Sequence, residues 1–391
     1  MIKKEDKRFN NILQKIPPSG IRKFFDLVIG AKDIISLGVG EPDFVTPWHI
    51  REEAFYSLEC GRTTYTSNWG LLSLRLEIQE YLKKRFSLNY DGHNEILVTV
   101  GGSEAIDISL RAILNPGDEV IIPEPCFVSY KPMVELAGGK AVVIDTSKTD
   151  FAVTAKDIEK NITTKTKAVF LNYPSNPTGT ILKKSEMLKI AEVIKKHKIW
   201  LLTDEIYAEL VYGQNKPVSF AALPGLRPYT ILLSGFSKAF AMTGWRIGYV
   251  TAPKEVMAMI FKIHQYSVMC APVMAQYAAE EALLEGLPEV EKMRKSYEHR
   301  KNLFVDGLNK IGLKTVEPQG AFYAFPSIKK TKLNSEQFAM KLLKEEMVAV
   351  VPGTAFGVCG EGFVRCSYAT DQKLLKEALL RLGRFVKKYS K

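Results

Sequence analysis

Seven short runs are mostly apolar, without alternation: 96–100 (ILVTV), 119–122 (EVII), 140–144 (KAVVI), 167–171 (KAVFL), 200–203 (WLLT), 230–233 (TILL) and 247–250 (IGYV). A strand with one solvent face alternates, whereas a strand covered on both faces reads as an unbroken apolar run. Between them, residues 103–114 and 184–196 place apolar side chains at helical spacing, i, i+3 and i+4. Asn115-Pro-Gly-Asp118 and Leu223-Pro-Gly225 punctuate the elements as turns. The pattern predicts an α/β unit with a mostly parallel sheet covered by helices on both sides.

After about residue 282 the pattern changes. A long, highly charged helical stretch, 290–308, is followed by 320–326 (GAFYAFP), a helix over 335–345, a strand over 348–351 and an apolar run over 363–368 (FVRCSY). These elements predict a smaller α+β domain. No internal repeat and no low-complexity linker interrupts the chain.

Composition narrows the class. The chain has 391 residues, 46% of them hydrophobic and 25% charged, enough for a sizeable core. No apolar run approaches the roughly 20 residues that span a bilayer. The first ten residues are charged without an apolar core, so no secretory signal is expected and a cytoplasmic protein is the simplest reading. The five cysteines (60, 126, 270, 359 and 366) are odd in number and far apart, which argues against a disulfide framework or a structural zinc site. The five histidines form no metal-ligand spacing. A net charge of +11 invites an anionic partner, but the lysines are scattered among acidic residues. The clearest basic patch, 384–391, reads as a last helix turn whose cations suit the helix dipole.

Several segments carry candidate chemistry. Lys238 sits among small residues just after the apolar run 230–233, eight positions before Arg246. A lysine there is a surface loop residue, or it is ion-paired, or its amine is held neutral enough to act as a nucleophile. Residues 98–105 (VTVGGSEA) are a strand opening a helix through two glycines, either a tight turn or a helix start whose free N–H groups receive a phosphate. Asp204 ends the run 200–203, where open α/β sheets bind ligands, and the alternative is a helix cap. Tyr207 follows three positions on. Residues 172–179 (NYPSNPTG) form a turn in any reading. Phe127, in 124–127 (EPCF), reads as a core aromatic or a ring that stacks on a ligand. Arg365 lies in an otherwise apolar strand, and a buried guanidinium is costly unless it meets an anion.

The segment 234–249 (SGFSKAFAMTGWRIGY) resembles the active-site signature of class I/II pyridoxal-phosphate (PLP) aminotransferases. The other segments resemble that family's motifs in the family's order, from Gly40 to Arg365. The resemblance implies a fold-type I PLP-dependent transferase, with a large domain built on a mostly parallel seven-stranded sheet and a smaller α+β domain. The expected divisions are 1–47 for an N-terminal segment belonging to the small domain, 48–282 for the PLP-binding domain and 283–391 for the C-terminal small domain.

The resemblance also assigns roles. Lys238 would form the internal Schiff base with PLP. Arg246, Ser237 and the backbone amides of Gly102, Ser103 and Glu104 would hold the cofactor phosphate. Asp204 would pair with the pyridine nitrogen, Tyr207 and Asn176 would bond the phenolic O3′, and Phe127 would stack on the ring. Arg365 would bind the substrate α-carboxylate, with Asn176 and the backbone of Gly40 beside it. Tyr65 would reach the PLP phosphate of a neighbouring subunit, which implies a homodimer.

The implied reaction moves the amino group of an L-amino acid, aspartate or aromatic or broad range, to a 2-oxo acid such as 2-oxoglutarate by a ping-pong mechanism. Arg111 and Lys15 are candidates, by charge alone, for a cation that reads a distal carboxylate. Phe25, Phe127 and Tyr130 are candidates for walls around an aromatic side chain, or are core. An N-acetyl-diaminopimelate aminotransferase and a C–S lyase remain open on the same fold. A PLP-binding transcription regulator would need an extra DNA-binding domain before Gly40, and the forty residues there hold no helix-turn-helix pattern.

Overall fold

The seven apolar runs become the seven strands of one sheet. The computed structural model describes residues 7–18, 20 and 33–390. In chain order the strands are β1 (Ile35–Ser36), β2 (Ile96–Thr99), β3 (Glu119–Glu124), β4 (Lys140–Asp145), β5 (Thr166–Asn172), β6 (Trp200–Asp204), β7 (Thr230–Gly235), β8 (Gly248–Thr251), β9 (Tyr323–Ala324), β10 (Val348–Ala349), β11 (Val351–Pro352) and β12 (Val364–Ser367). The large sheet has the order β2-β8-β7-β6-β5-β3-β4. β8 alone runs against its neighbours, antiparallel to both β2 and β7, and the remaining pairings are parallel.

Adjacent residues of one strand serve opposite faces. Val120, Phe170 and Leu202 pack with the helices Gly101–Ile113 and Lys254–Ser267, while Ile121, Val169 and Leu201 pack with the helix Lys184–His197. This period of two, apolar on both sides, is what a strand buried between helix layers requires.

A second cluster is built chiefly from the C-terminal third, with Tyr207, Leu210, Tyr212 and Ala241 joining it from the middle of the chain. Tyr297, Phe304, Phe322, Val348, Phe385 and Leu382 pack together and take in Ile35 and Leu37 from the other end of the chain. The link is a ladder: β1 pairs in parallel with β10, Leu37 N–H donates to Ala349 O at 2.8 Å and Ser367 N–H donates to Leu37 O at 2.7 Å. Residues 37–40 are therefore positioned by C-terminal elements.

The expected strand over 348–351 divides into β10 and β11. Val348–Ala349 pairs with β1, then the chain steps across Val350 so that Val351–Pro352 pairs with β12. One apolar run serves two sheets, and Pro352, which has no N–H, ends the second pairing. Helices Trp48–Glu59, Leu72–Phe86 and Val273–Glu285 had no clear signal in the sequence. Val273–Glu285 is rich in buried alanine, so it lacks a polar stripe of helical period. The basic C-terminal patch closes the helix Gln372–Tyr389 as expected, with Lys387 and Lys388 in its last turn and Arg384 paired with Glu346 at 2.7 Å.

All five cysteines are free. Among the described residues no cluster could hold a metal ion, and no helix is long and apolar enough to cross a membrane.

Phe304, fully buried in the C-terminal cluster, touches none of the cavity described below. Phe304→Ala is expected to cost about 3–5 kcal/mol of unfolding free energy in chemical denaturation, from lost transfer energy and the void left behind.

Candidate active site

Parallel pairing lines up the ends of three strands. Asn172 at the end of β5 is in register with Asp204 at the end of β6, and Asp204 with Leu233 of β7. A cavity of about 280 Å³ opens beyond these ends, on the C-terminal edge where open α/β sheets place ligands.

Lys238 follows β7 by three residues, on a loop pinned by the buried rings of Phe236 and Phe240, whose centroids are 5.7 Å apart. Its Nζ donates to Gly40 O at 2.7 Å. The residue keeps some exposure because it faces the cavity, but its ammonium lies deep. Burial lowers its pKa to about 8, and the positive charges of Arg365 and Arg246 push the same way against Glu41 and Asp204.

Asp204 is buried, and burial raises its pKa while a hydrogen bond from Tyr130 opposes the rise. Tyr130 OH donates to Oδ2 at 2.7 Å and Ile206 N–H donates to Oδ1 at 3.1 Å. The Tyr130 ring lies on Phe170, with centroids 4.1 Å apart. Tyr130 does line the cavity, but its hydroxyl is committed to Asp204. Asn172 braces the same corner: its Nδ2 donates to Asp204 O at 2.9 Å and its Oδ1 accepts from Asn176 N–H at 2.9 Å.

Arg365 is 2% exposed on β12. Its Nη1 donates to Asn176 Oδ1 at 3.0 Å and its Nη2 to Gly38 O at 2.6 Å. The guanidinium lies between the rings of Tyr323 and Phe356, 4.5 and 4.8 Å from their centroids. Its Nε has no hydrogen-bond partner, and no carboxylate among the described residues pairs with it. A buried cation in this state calls for an external anion.

The other end of the cavity is built for a second anion. The helix Gly101–Ile113 starts there, with Gly101 at φ +70° and open space where a side chain of Gly102 would stand. Ser103, Ser237 and Arg246 line the same end. The Arg246 guanidinium lies so close to Gly101 that a Cβ there would come within 2.7 Å of Nη2. Gly248 is equally constrained, since its Cβ would fall 2.8–2.9 Å from the backbone of Gly101 and Gly102. Free N–H groups, a helix dipole and a guanidinium together suit a phosphate.

The cavity thus brings together Gly40, Gly102, Ser103, Phe127, Asn176, Asp204, Tyr207, Ser237, Lys238, Arg246 and Arg365. Glu104 is in the first helical turn, but its carboxylate turns away to accept from Val100 N–H at 2.5 Å and meet His264 Nδ1 at 2.6 Å, leaving only its backbone for an anion. Tyr65 is 82% exposed and outside the cavity of its own chain. Arg111 and Lys15 do not line it either: Arg111 pairs with Asp107 at 3.2 Å and Lys15 is exposed. Phe25 lies outside the described residues. Tyr323 and the supports given by Tyr130 and Asn172 were not anticipated. The aromatic run 320–326 was the available pointer to Tyr323.

The sequence profile of aminotransferase class I and II matches residues 32–382. The chain belongs to this family of PLP-dependent transferases. It is 57% identical to the putative aminotransferase YugH of Bacillus subtilis over 97% of this chain and 98% of that protein. It is 46% identical to an aspartate aminotransferase of Pyrococcus abyssi, over 96% and 97%. Among solved structures, the aromatic aminotransferase from Pyrococcus horikoshii superposes with a TM-score of 0.89 at 44% identity, covering 94% of this chain and 99% of that one.

The aminotransferase cavity fits PLP by its own chemistry. It offers an amine of lowered pKa, the Asp204 carboxylate, an open space at Gly102 beside the Arg246 guanidinium, and in Arg365 a lining cation with no carboxylate partner for a second anion. Only the neutral amine of Lys238 can attack a carbonyl. Capture of PLP by the apoprotein is therefore expected to speed up roughly tenfold per pH unit up to about pH 8 and level off above it. Stopped-flow absorbance of reconstitution between pH 6 and 9 checks this.

Proposed function

We propose that this aminotransferase moves the amino group of an aromatic or acidic L-amino acid to a 2-oxo acid such as 2-oxoglutarate, acting as a cytoplasmic homodimer. The observation that carries the reading is the meeting of Lys238, Asp204, Tyr207, Asn176 and Arg365 in one cavity. Bound there, PLP supplies a carbonyl that exchanges amines and an electron-poor ring.

The chain's own residues do the rest. Arg246, Ser237, Ser103 and the amides of the first helical turn grip the phosphate. Asp204, held by Tyr130, keeps a proton on the ring nitrogen, and Tyr207 and Asn176 address O3′. Phe127 offers an apolar edge beside the ring. Arg365, which lines the cavity and has no carboxylate partner in the chain, would take the α-carboxylate, and Gly40 would bring backbone rather than side chain to that carboxylate. A Cβ on Gly40 would stand 2.9 Å from the Tyr323 hydroxyl. Lys238 would hold PLP through its amine and would move the Cα proton, a task suited to an amine whose pKa burial lowers to about 8 in the resting chain.

The substrate reading rests on the walls. Lys238, Arg246 and Arg365 are the cations lining the cavity among the described residues, and each already has a task. Ile106, Phe127 and Ile206 present apolar surface to a side chain, which supports the aromatic reading, while the acidic reading rests on the likeness to an aspartate aminotransferase. The homodimer reading rests on exposed rings. Tyr65, Trp48, Phe55, Tyr56 and Tyr266 are exposed, and the loop bearing Tyr65 is tied to residues 269–276 by Asn68 Nδ2 to Met269 O at 2.7 Å and Gln276 Nε2 to Thr66 at 3.1 Å. Trp48 and Phe55 lie side by side, ring centroids 6.3 Å apart, and exposed rings that gather in this way call for cover. The division into 1–47, 48–282 and 283–391 belongs to the same proposal, supported by the packing of Ile35 and Leu37 into the C-terminal cluster.

Single-turnover half-reactions with Asp, Glu, Phe, Tyr, Leu and Ala, followed by absorbance of the cofactor, test the reading. Conversion to the amino form by aromatic or acidic amino acids is expected, with Arg365→Leu weakening every substrate about 100-fold or more. A loss confined to dicarboxylates would show that another residue takes the α-carboxylate. Pyruvate and ammonia formed from cysteine-type substrates without an acceptor would instead mark a lyase.

The shared site has its own test. Lys238→Ala and Tyr65→Ala proteins, each impaired alone, should recover about a quarter of wild-type activity when mixed and reassociated, because half the dimers then carry one intact site. Recovery equal to the sum of the separate variants would place Tyr65 outside the partner's site.

A further inference from the structure

Tyr323 is fully buried, and no role for it follows from the assignments above. β9 and β12 pair antiparallel with Tyr323 opposite Ser367, so Tyr323 and Arg365 lie diagonally on one face, ring against guanidinium. The hydroxyl of Tyr323 reaches two partners. It is 2.8 Å from Tyr207 Oη and 3.3 Å from Gly40 O. Gly40 O also accepts from Lys238. The titratable or charged groups around Tyr323 are Tyr207, Arg365, Glu41, Lys238 and Tyr368.

The two hydroxyls have two protons to place. With the cavity empty, Tyr207 can donate to Tyr323 and Tyr323 to Gly40 O. When Tyr207 donates to O3′ of PLP, its proton is gone from the shared bond. The 2.8 Å contact then persists only if Tyr323 donates into Tyr207 Oη and lets go of Gly40 O. A hydroxyl that accepts a hydrogen bond becomes a stronger donor.

We propose that Tyr323 is a positioning residue for the cofactor: it turns its hydroxyl from Gly40 O to Tyr207 Oη on PLP binding, and so aims and strengthens the bond from Tyr207 to O3′. The proposal rests on the PLP reading of the cavity. Lys238, on joining the cofactor, withdraws its ammonium from the same carbonyl. Gly40 O thus loses two donors in one event and is freed to turn, while Leu37 and Gly38 stay held by Ala349, Ser367 and Arg365.

The test is a pH titration of the visible absorbance of the PLP-loaded enzyme, which reads the proton shared between O3′ and the lysine nitrogen. A donor into O3′ draws density from the oxygen that helps hold this proton, so weaker donation keeps the proton to higher pH. Tyr323→Phe retains the ring under Arg365 and removes one oxygen. The midpoint is expected to rise by a few tenths of a unit, up to about 0.7, for a 10–30% weakening of one charge-assisted bond. A 3-fluorotyrosine at 323, a stronger donor of nearly the same shape, is expected to lower it. In a Tyr207→Phe background the change at 323 should have no further effect.

Affinity for maleate, which reports on Arg365, should change less than about twofold. A midpoint that stays within about 0.1 unit in Tyr323→Phe overturns the proposal. So does a shift that persists unchanged without the Tyr207 hydroxyl, because Tyr323 would then act by another route. In both cases the wild-type titration stands, and with it the cofactor reading. A wild-type protein that takes up no PLP absorbance overturns that reading and the role of Tyr323 with it.

Discussion

The site depends on the register of a parallel ladder. Asn172, Asp204 and Leu233 are neighbours because β5, β6 and β7 run the same way and end together. Backbone hydrogen bonds along buried strands fix that alignment, and slipping one strand by a residue would turn Asp204 to the opposite face of the sheet. Tyr130 and Asn172 then act on a carboxylate whose place is already set. The loop to Lys238 begins where β7 ends, so the same alignment delivers the amine. β8 contributes differently. As the one antiparallel strand it brings Gly248 against Gly101 and Gly102 and closes the end of the cavity proposed for the phosphate.

The second constraint joins the chain's two ends. Gly40 can meet Lys238 and Arg365 only because β1 lies on β10 and Ser367 N–H holds Leu37 O. Each contact is ordinary. Their effect is that the residues proposed to face the substrate's carboxylate come from parts of the sequence more than 300 positions apart, 2.6 Å from Gly38 O to Arg365 Nη2. Such a site has high contact order and assembles only when the whole fold does.

Much of this was legible in the sequence, for identifiable reasons. Strands buried on both faces leave unbroken apolar runs, and the seven of the large sheet are where those runs lie. Lys238, Asp204 and Arg365 were conspicuous as charges in apolar surroundings, which is also why burial alters their titration. Tyr323 and Tyr130 were not conspicuous. An aromatic in an apolar stretch looks like core until the partner of its hydroxyl is known, and those partners, Tyr207 and Asp204, are 116 and 74 positions away. The two-residue strands β10 and β11 were hidden similarly, because a run of valines does not show where the chain changes partner. The direction of the Glu104 carboxylate depended on His264, 160 positions distant.

The unpaired Nε of Arg365 has a consequence for the resting protein. A guanidinium buried between two rings, with carbonyl and amide oxygens as its hydrogen-bond partners, retains a charge that the fold does not neutralise. Any small carboxylate that fits is drawn to it, whether or not it carries an amine. Organic acids without an amine then compete with amino acids for the same guanidinium. The apparent affinity for a given amino acid falls as the surrounding pool of such acids grows.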